Sequence, residues 1–197
     1  MIARIFDLKR KALMREIYDN GVLGRAVAHV YTIEFQKRGL PHMHLLIYLK
    51  QEDKIRTPVQ VDQVVSAEFP DPVLKPTFFC IIKRCMVHGP CGINNPDKSC
   101  MEDGKCTKRY PRAFVEETIL DQNGYPLYHR RNTRQVYIDG VHEVDNRNVV
   151  PYNPYLSEMF DCHINVEVCG GVGGVKYIHK YIYKGGDRST YVINGRD

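Results

Sequence analysis

The chain has 197 residues, of which 43% are hydrophobic and 26% are charged, and its formal net charge is +5. This length allows one hydrophobic core with a small appendage, and the apolar runs are too short to span a membrane. The odd number of cysteines, seven, argues against a disulfide framework and favours reduced thiols or metal ligands. Because the N-terminus is amphipathic and charged, unlike a signal peptide, we expect a soluble intracellular protein.

The first predicted elements are a helix and a hairpin. Residues 2–19 have a helical pattern that Gly21 ends. "RAVAHVYTIEFQ" alternates like a strand, "KRGLP" makes a turn, and "HMHLLIYL" returns as a second strand. The predicted helix places five apolar residues on one side: Ile2, Ile5, Phe6, Leu13 and Ile17.

The returning strand begins with two histidines. Side chains alternate along a strand, so His42 and His44 share a face. Glu34 or Gln36 of the preceding strand can lie near them if the register places them on that face. Two imidazoles and one oxygen ligand would leave metal positions open, as catalytic sites do. The simpler alternative is a pair of inert, partly exposed histidines.

The middle of the chain contains the cysteines. Residues 51–76 form a predicted connection with a short helix, and residues 77–112 are rich in Cys, Gly and Pro, which suggests a small metal-stapled insertion. The spacing of His88, Cys91, Cys100 and Cys106 predicts a structural zinc site. Cys85 is a rival ligand. The same region begins a locally basic stretch, for which a solvated loop face and a polyanionic partner are equally good explanations.

The remaining elements are predicted from short patterns. We expect strands around "YHRRN" and "QVYIDGVHEV", a turn and helix in "VVPYNPYLSEMF", a strand in "CHINVEVC", and a closing helix in "VKYIHKYIYKGG". The glycine-rich link before this helix lacks the Lys-Ser/Thr pair of a P-loop. In the closing helix, ordinary amphipathicity is the alternative to a reactive face that carries Lys176, Lys180 and Lys184 beside Tyr177 and Tyr181.

Four motifs in this order carry a family resemblance. They are "YTIEFQKRGLPHMHLLIYL", "MVHGPCG", "NPDKSCMEDGKCTKRYP" and "CHINVEVCGGVGGVKYIHKYIYKGGDR". Together they resemble the Rep endonuclease region of Helitron transposases, members of the HUH nuclease superfamily. The resemblance implies an α+β fold with a central antiparallel sheet flanked by helices. It also implies a divalent metal at a His-hydrophobic-His motif and tyrosine nucleophiles on a nearby helix.

The resemblance implies a role for each matched residue. His42 and His44 become ligands of Mg or Mn, with Gln36 favoured over Glu34 as the third ligand. Tyr177 and Tyr181 become the candidate nucleophiles. Independently of the resemblance, Lys176, Lys180 or Lys184 could stabilise the developing charge or lower the phenol pKa, because they lie on the tyrosines' side of the predicted helix. A structural zinc ion remains the expectation for the Cys/His cluster. The expected single-stranded DNA contacts are Lys37, Arg38, Lys108, Arg109, Arg130, Arg131 and Lys176.

These implications define the expected function and its alternatives. Residues 1–197 are expected to be a Rep/HUH endonuclease domain that lacks an upstream strand and the following helicase domain, with a zinc-binding insertion at 77–112. The expected activity is nicking and strand transfer in rolling-circle transposition, in the nucleus. One alternative is a non-catalytic DNA-binding relic of a Helitron transposase. The other is a zinc-stapled interaction protein without a nucleic-acid role.

Overall fold

The computed structural model describes residues 1–35, 39–92, 95–122, 125–139, 142–170 and 189–193. In these ranges the fold is α+β with small antiparallel sheets. None of the helices there is both long and apolar enough to cross a membrane. The four α-helices of these ranges are α1 (Ile2–Tyr18), α2 (Pro58–Val64), α3 (Pro76–Cys85) and α4 (Pro154–Phe160), and short 3-10 helices occur at Gln51–Asp53 and Asn146–Asn148.

Within the described ranges, the strands form one three-stranded and three two-stranded sheets, all antiparallel. Their bounds are β1 (Ala26–Phe35), β2 (Pro41–Leu49), β3 (Met101–Glu102), β4 (Lys105–Cys106), β5 (Ile119–Leu120), β6 (Pro126–Leu127), β7 (Tyr137–Asp139), β8 (His142–Val144) and β9 (Ser189–Ile193). The larger sheet has the order β2-β1-β9, and β3-β4, β5-β6 and β7-β8 are hairpins. The β1–β2 hairpin confirms the sequence prediction, whereas β9 was not predicted.

The chain divides into two compact units. One comprises Met1–Arg56 and Cys169–Asp197, and the other comprises Thr57–Val168. We call the first the sheet unit, because it contains β2-β1-β9, and the second the cysteine unit, because it contains the four residues of the predicted zinc site.

In the sheet unit, α1 lies against β1. The hydroxyl of Tyr18 is hydrogen-bonded to Nδ1 of His29, and the guanidinium of Arg10 lies 5.6 Å from the centre of the Tyr31 ring. These contacts come from the middle and the C-terminal end of the helix. The predicted apolar side is therefore correct at Ile17, which is buried, but wrong at Ile2 and Ile5, which are 55% and 50% exposed.

In the cysteine unit, α3 supplies much of the core. Phe78, Ile82 and Met86 pack with Val149 and Tyr152. The sequence prediction placed residues 77–112 in an insertion and did not anticipate this helix. Its signals are Pro76 at the first helical turn and apolar residues at spacings of three and four. Such burial is the main stabilising contribution to a small core.

Two predicted strands are wrong. "YHRRN" is not a strand, although Arg130 forms an isolated bridge with Val115. Residues 162–169 also form no strand, even though exposed and partly buried side chains alternate along them as predicted. The backbone N–H groups of this segment donate to unrelated acceptors. The Val166 N–H donates to the carbonyl of Pro151 at 3.1 Å, and the Val168 N–H donates to the side-chain hydroxyl of Tyr128 at 2.8 Å. An extended segment becomes a strand only when a neighbour supplies a continuous ladder.

Candidate metal centres

The β1–β2 hairpin brings an acidic residue to the two histidines. In its register Glu34 lies opposite His42, and Thr32 lies opposite His44. Directly paired residues point to the same face of a sheet, so Glu34, His42 and His44 share one face. The backbone ladder therefore assembles a three-residue cluster that the sequence predicted only conditionally on register.

The three side chains are close enough to share one ion. Their ligand atoms all lie within 4.8 Å of one another. His44 Nε2 is 3.2 Å from Glu34 Oε1, and the rings of His42 and His44 are 4.7 Å apart at an angle of 71°. The side chain of His44 is 9% exposed and that of Glu34 is 28% exposed. The cluster is thus partly buried, and the Glu34 side chain keeps some exposure to solvent.

The donor set fits a divalent cation. Imidazole nitrogens and a carboxylate oxygen are ordinary ligands for Mn, Zn and related metals. Three protein ligands leave at least one coordination position for water or a substrate oxygen, which distinguishes a catalytic from a closed structural site. This hairpin could hold a metal ion and keep it open to a ligand.

Several predicted site residues cannot be placed. Gln36, the favoured third ligand, lies outside the described residues together with Lys37 and Arg38. The predicted nucleophiles Tyr177 and Tyr181 lie outside them as well, as do Lys176, Lys180 and Lys184. All of these assignments remain sequence predictions.

The second cluster consists of the four residues predicted to hold zinc, His88, Cys91, Cys100 and Cys106. Their ligand atoms lie within 4.8 Å of one another, and Cys106 Sγ is 3.5 Å from His88 Nε2. Three sulfurs and one imidazole form a four-ligand set typical of structural zinc. Cys85 does not belong to this cluster, because it packs against the core of the cysteine unit at the end of α3.

A short hairpin places two of these cysteines. Cys100 precedes β3 and Cys106 lies on β4. The connecting residues Asp103 and Gly104 have φ angles of 49° and 72°, which is the left-handed backbone that two-residue hairpin turns require. The N–H of Thr107 donates to the carbonyl of Cys100 at 2.7 Å. The Asp-Gly pair is the sequence signal that fixes this part of the cluster.

The electrostatic environment distinguishes the ligands. Burial lowers the pKa of His88, helped by the charges of Lys98, Lys108 and Arg112, so its imidazole is held neutral. Burial raises the pKa of Cys91 to about 12, with a contribution from Cys106. Burial also acts to raise the pKa of Cys106, but hydrogen bonds from the backbone N–H groups of Tyr110 and Lys108 outweigh it and lower that pKa. Metal binding must therefore displace a proton from Cys91.

An aromatic stack that the sequence did not predict supports this cluster. The rings of His88 and Tyr110 lie 4.3 Å apart and nearly parallel, at 16°, and the guanidinium of Arg112 lies 5.1 Å from the Tyr110 ring centre. The backbone N–H of His88 also donates to the carbonyl of Asn148 at 2.8 Å. These contacts orient a ligand imidazole in the way that outer-shell groups orient metal ligands. The spacing of the residues gives no signal for this stack.

The predicted DNA contacts fall into different environments. Lys108 and Arg109 are exposed beside the Cys/His cluster. Arg131 is exposed but forms a bidentate ion pair with Glu68. Arg130 is 4% exposed, and its guanidinium donates to the carbonyls of Ala67, Asn146 and Val149. The prediction of Arg130 as a DNA contact is therefore wrong, because its guanidinium is buried and hydrogen-bonded to backbone carbonyls.

A comparison with family models bears on the first cluster. Residues 1–47 match the model of the Helitron helicase-like domain at the N-terminus, a span that includes α1, β1 and both histidines of the hairpin. No curated protein matches the chain. The N-terminal region of this chain is therefore similar to the helicase-like N-terminal domain of Helitrons, which indicates a Helitron transposase context.

Proposed function

We propose that the chain is a metal-dependent endonuclease and strand transferase that acts on single-stranded DNA in rolling-circle transposition. The observation that carries this proposal is the convergence of Glu34, His42 and His44 on one face of the hairpin, within the region similar to Helitrons. The proposal treats residues 1–197 as a Rep/HUH endonuclease region with a zinc-binding insertion at 77–112. The helix α3 is the part of that insertion that packs in the core.

His42 and His44 would hold the divalent cation together with an oxygen ligand. Glu34 is the oxygen ligand that the described geometry supports, and Gln36 remains the alternative from the family resemblance. The bound Mg or Mn ion would supply Lewis acidity at the scissile phosphate. The partly buried position of His44 limits competition by water and strengthens the local electrostatics.

The nucleophile is proposed from the sequence. The phenol oxygen of Tyr177 or Tyr181 attacks the phosphorus of the scissile phosphodiester, after its proton passes to water. The bond from phosphorus to the 3′ oxygen breaks, and that oxygen takes up a proton to become a free hydroxyl. The enzyme is left joined to the 5′ phosphate as a phosphotyrosine. Lys180 and Lys184 stabilise the charge that develops on the phosphate.

Cationic side chains are proposed to bind the DNA backbone. Lys108 and Arg109 are the best supported contacts, because both are exposed next to the Cys/His cluster. Arg131 is a weaker candidate, since Glu68 already occupies part of its guanidinium. Lys37, Arg38 and Lys176 of the sheet unit lie outside the described residues and are proposed as DNA contacts from the sequence alone. The proposed partners are single-stranded DNA and a helicase domain of the same polypeptide, and the proposed location is the nucleus.

A denaturing gel tests the reaction. The purified chain is incubated with a labelled single-stranded oligonucleotide pool and Mn, and protein-linked DNA is detected by its retarded migration. We expect an adduct that His42→Ala abolishes and that the double variant Tyr177→Phe/Tyr181→Phe also abolishes. Tyr155→Phe is the matched control, because Tyr155 is half-exposed on α4, and it should leave the adduct unchanged.

The same samples test the alternatives. If wild type and all variants bind single-stranded DNA but form no adduct, the DNA-binding relic is the correct interpretation. If the chain fails to bind single-stranded DNA even at low salt, where phosphate contacts are strongest, the zinc-stapled interaction protein is favoured instead.

A further inference from the structure

Thr32 is a buried polar residue without a described role. It lies in the middle of β1 and is 1% exposed. Its Oγ1 atom finds no hydrogen-bond partner within the ranges that the structure describes, a property that it shares with Ser157 Oγ. Buried hydroxyls normally have a partner, and an unpaired one carries a free-energy cost. An unpaired hydroxyl beside a functional site therefore invites a functional explanation.

The position of Thr32 links it to the hairpin cluster. Its direct partner in the β1–β2 ladder is His44, and Glu34 follows it two residues later on the same face. Side chains at directly opposed positions have Cβ atoms about 5 Å apart. The unpaired hydroxyl thus belongs to the face that carries Glu34, His42 and His44, directly opposite His44, whose side chain is 9% exposed.

We propose that Thr32 is a positioning residue for the metal site. His44 directs Nε2 toward Glu34 Oε1, so Nε2 is the nitrogen turned toward the ligand cluster. When the site is loaded, the Thr32 hydroxyl accepts a hydrogen bond from the other ring nitrogen of His44. Metal-binding histidines usually donate that second N–H to a fixed acceptor, which sets the tautomer and ring orientation. This role rests on the proposed function of the hairpin cluster.

A purely structural role makes the opposite prediction. If Thr32 only fills space in the sheet, the isosteric change Thr32→Val should leave metal binding intact. The same change should not reduce the stability of the metal-free chain in either case, because it removes an unpaired buried hydroxyl. A loss of metal affinity without a loss of metal-free stability therefore indicates a positioning role, and unchanged metal affinity indicates a packing role.

The experiment is a Mn²⁺ titration by calorimetry on the zinc-loaded full chain, with thermal unfolding measured in parallel. We expect Thr32→Val to weaken Mn²⁺ binding by about 10-fold to 100-fold without lowering the unfolding temperature. Thr32→Ser, which keeps the hydroxyl, should bind within about threefold of wild type. Ser157→Ala is the matched control, because it removes the other unpaired buried hydroxyl from α4 of the cysteine unit.

The outcomes distinguish failure of Thr32 from failure of the site. Wild-type affinity in a folded Thr32→Val chain would overturn the positioning role while leaving the metal site intact. Equal weakening in Thr32→Val and Ser157→Ala would overturn it too, because the effect would then be nonspecific. Two further results would overturn the proposed metal site, and with it the role of Thr32. One is that the wild-type chain binds no Mn²⁺, and the other is that the chain binds Mn²⁺ equally well after His42→Ala.

Discussion

The sheet unit takes its cluster from two adjacent strands, whereas the cysteine unit gathers its cluster from a loop after α3 and a two-residue hairpin. In the first, Glu34 is paired with His42 in the ladder, and backbone hydrogen bonds fix the geometry. In the second, Cys91, Cys100 and Cys106 lie on short elements that bury few apolar side chains. We therefore expect the hairpin to hold its ligands in place before a metal binds, and we expect the loops to depend on a metal for their arrangement.

The chemistry of the two clusters follows the same division. The sheet unit offers nitrogen and oxygen with coordination positions left open, which suits an exchangeable ion that contacts a substrate. The cysteine unit offers three sulfurs and one nitrogen, a closed set of the kind through which structural zinc ions contribute folding free energy. The comparison predicts that removing metal will have different consequences in the two units.

The largest effect is expected at the Cys/His cluster. Cys106→Ser should reduce the zinc content from one equivalent per chain to near zero. It should also expose residues 87–112 to hydrogen exchange, because structural zinc contributes on the order of 10 kcal/mol to folding of such modules. Zinc content is measured by elemental mass spectrometry, and hydrogen exchange is measured on proteolytic peptides by mass spectrometry.

Cys80→Ser is the control for that experiment, because Cys80 is an exposed cysteine on α3. It should keep its zinc and its protection pattern. Full zinc content in Cys106→Ser would contradict the assignment and remove the contrast between the units.

The next largest effect is expected at the hairpin. His42→Ala should weaken Mn²⁺ binding by at least about 100-fold, because only two of three ligands remain. The β1–β2 ladder should persist, since its hydrogen bonds do not depend on the metal. Calorimetry measures the affinity, and circular dichroism checks the fold. Loss of the sheet in this variant would show that the hairpin, like the loops, depends on its ligands.

The two clusters also differ in how far the sequence predicted them. Alternation placed His42 and His44 on one face, and the spacing of His88 and the cysteines identified a four-ligand set. Alternation alone could not establish that Glu34 pairs with His42, because register also depends on the connection between the strands. The strand prediction for residues 162–169 was wrong because alternation reports which side is buried but gives no information about a pairing partner.

A smaller effect is expected from the ion network of the cysteine unit. Glu68 is buried and bonded to Arg131, and His129 lies between the carboxylates of Glu68 and Asp62. Burial acts to raise the pKa of Glu68, but hydrogen bonds from His129 and Arg131 lower it from 4.5 to about 2. Glu68→Gln should reduce the free energy of unfolding at pH 6 by about 2 kcal/mol, because it removes the buried carboxylate that accepts hydrogen bonds from Arg131 and His129.

The pH dependence of this network has a definite sign. The contribution of Glu68 is present above its ordinary pKa of 4.5 and is lost as pH falls toward about 2. The hydrogen bond to Glu68 raises the pKa of His129 above its ordinary value of 6.5, so its contribution is present below 6.5 and is lost as pH rises through the raised pKa. Chemical denaturation should therefore show greatest stabilisation by the network between pH 4.5 and 6.5.

A matched variant keeps this test specific. Glu117→Gln removes an exposed carboxylate and should change the free energy of unfolding by less than about 0.5 kcal/mol. If Glu68→Gln showed the same acid dependence as wild type, Glu68 would not be the group that carries it.

The smallest effect is expected at the turn between β3 and β4. Gly104 has a φ of 72°, a left-handed conformation that alanine adopts less readily. Gly104→Ala should therefore lower the free energy of unfolding by about 1 kcal/mol, while the zinc content stays at one equivalent. Asp103→Asn is the control, because asparagine tolerates the left-handed backbone. Thermal unfolding and zinc analysis check both. A loss of zinc in Gly104→Ala would mean that the turn, more than the metal, assembles this cluster.

Some features had no sequence signal that could reveal them. Arg130 looks like a surface cation in a basic stretch, yet three backbone carbonyls surround its guanidinium. Thr32 looks like an ordinary strand residue, and its importance depends on the partner across the ladder. The Arg130 contacts join residues from different parts of the chain, and the Thr32 pairing depends on the register of the hairpin, so local patterns do not reveal either one.

The most direct test of the proposed nuclease is to identify the residue joined to DNA. Trypsin cleaves after Lys176, Lys180 and Lys184, so the peptides YIHK and YIYK separate Tyr177 from Tyr181. After reaction with single-stranded DNA and Mn, and digestion of the DNA, mass spectrometry should find a 5′-phosphonucleotide on one of these tyrosines in wild type and none in His42→Ala. Two results would contradict the proposal. One is that wild-type protein binds DNA but both peptides remain unmodified, and the other is that His42→Ala is modified as much as wild type.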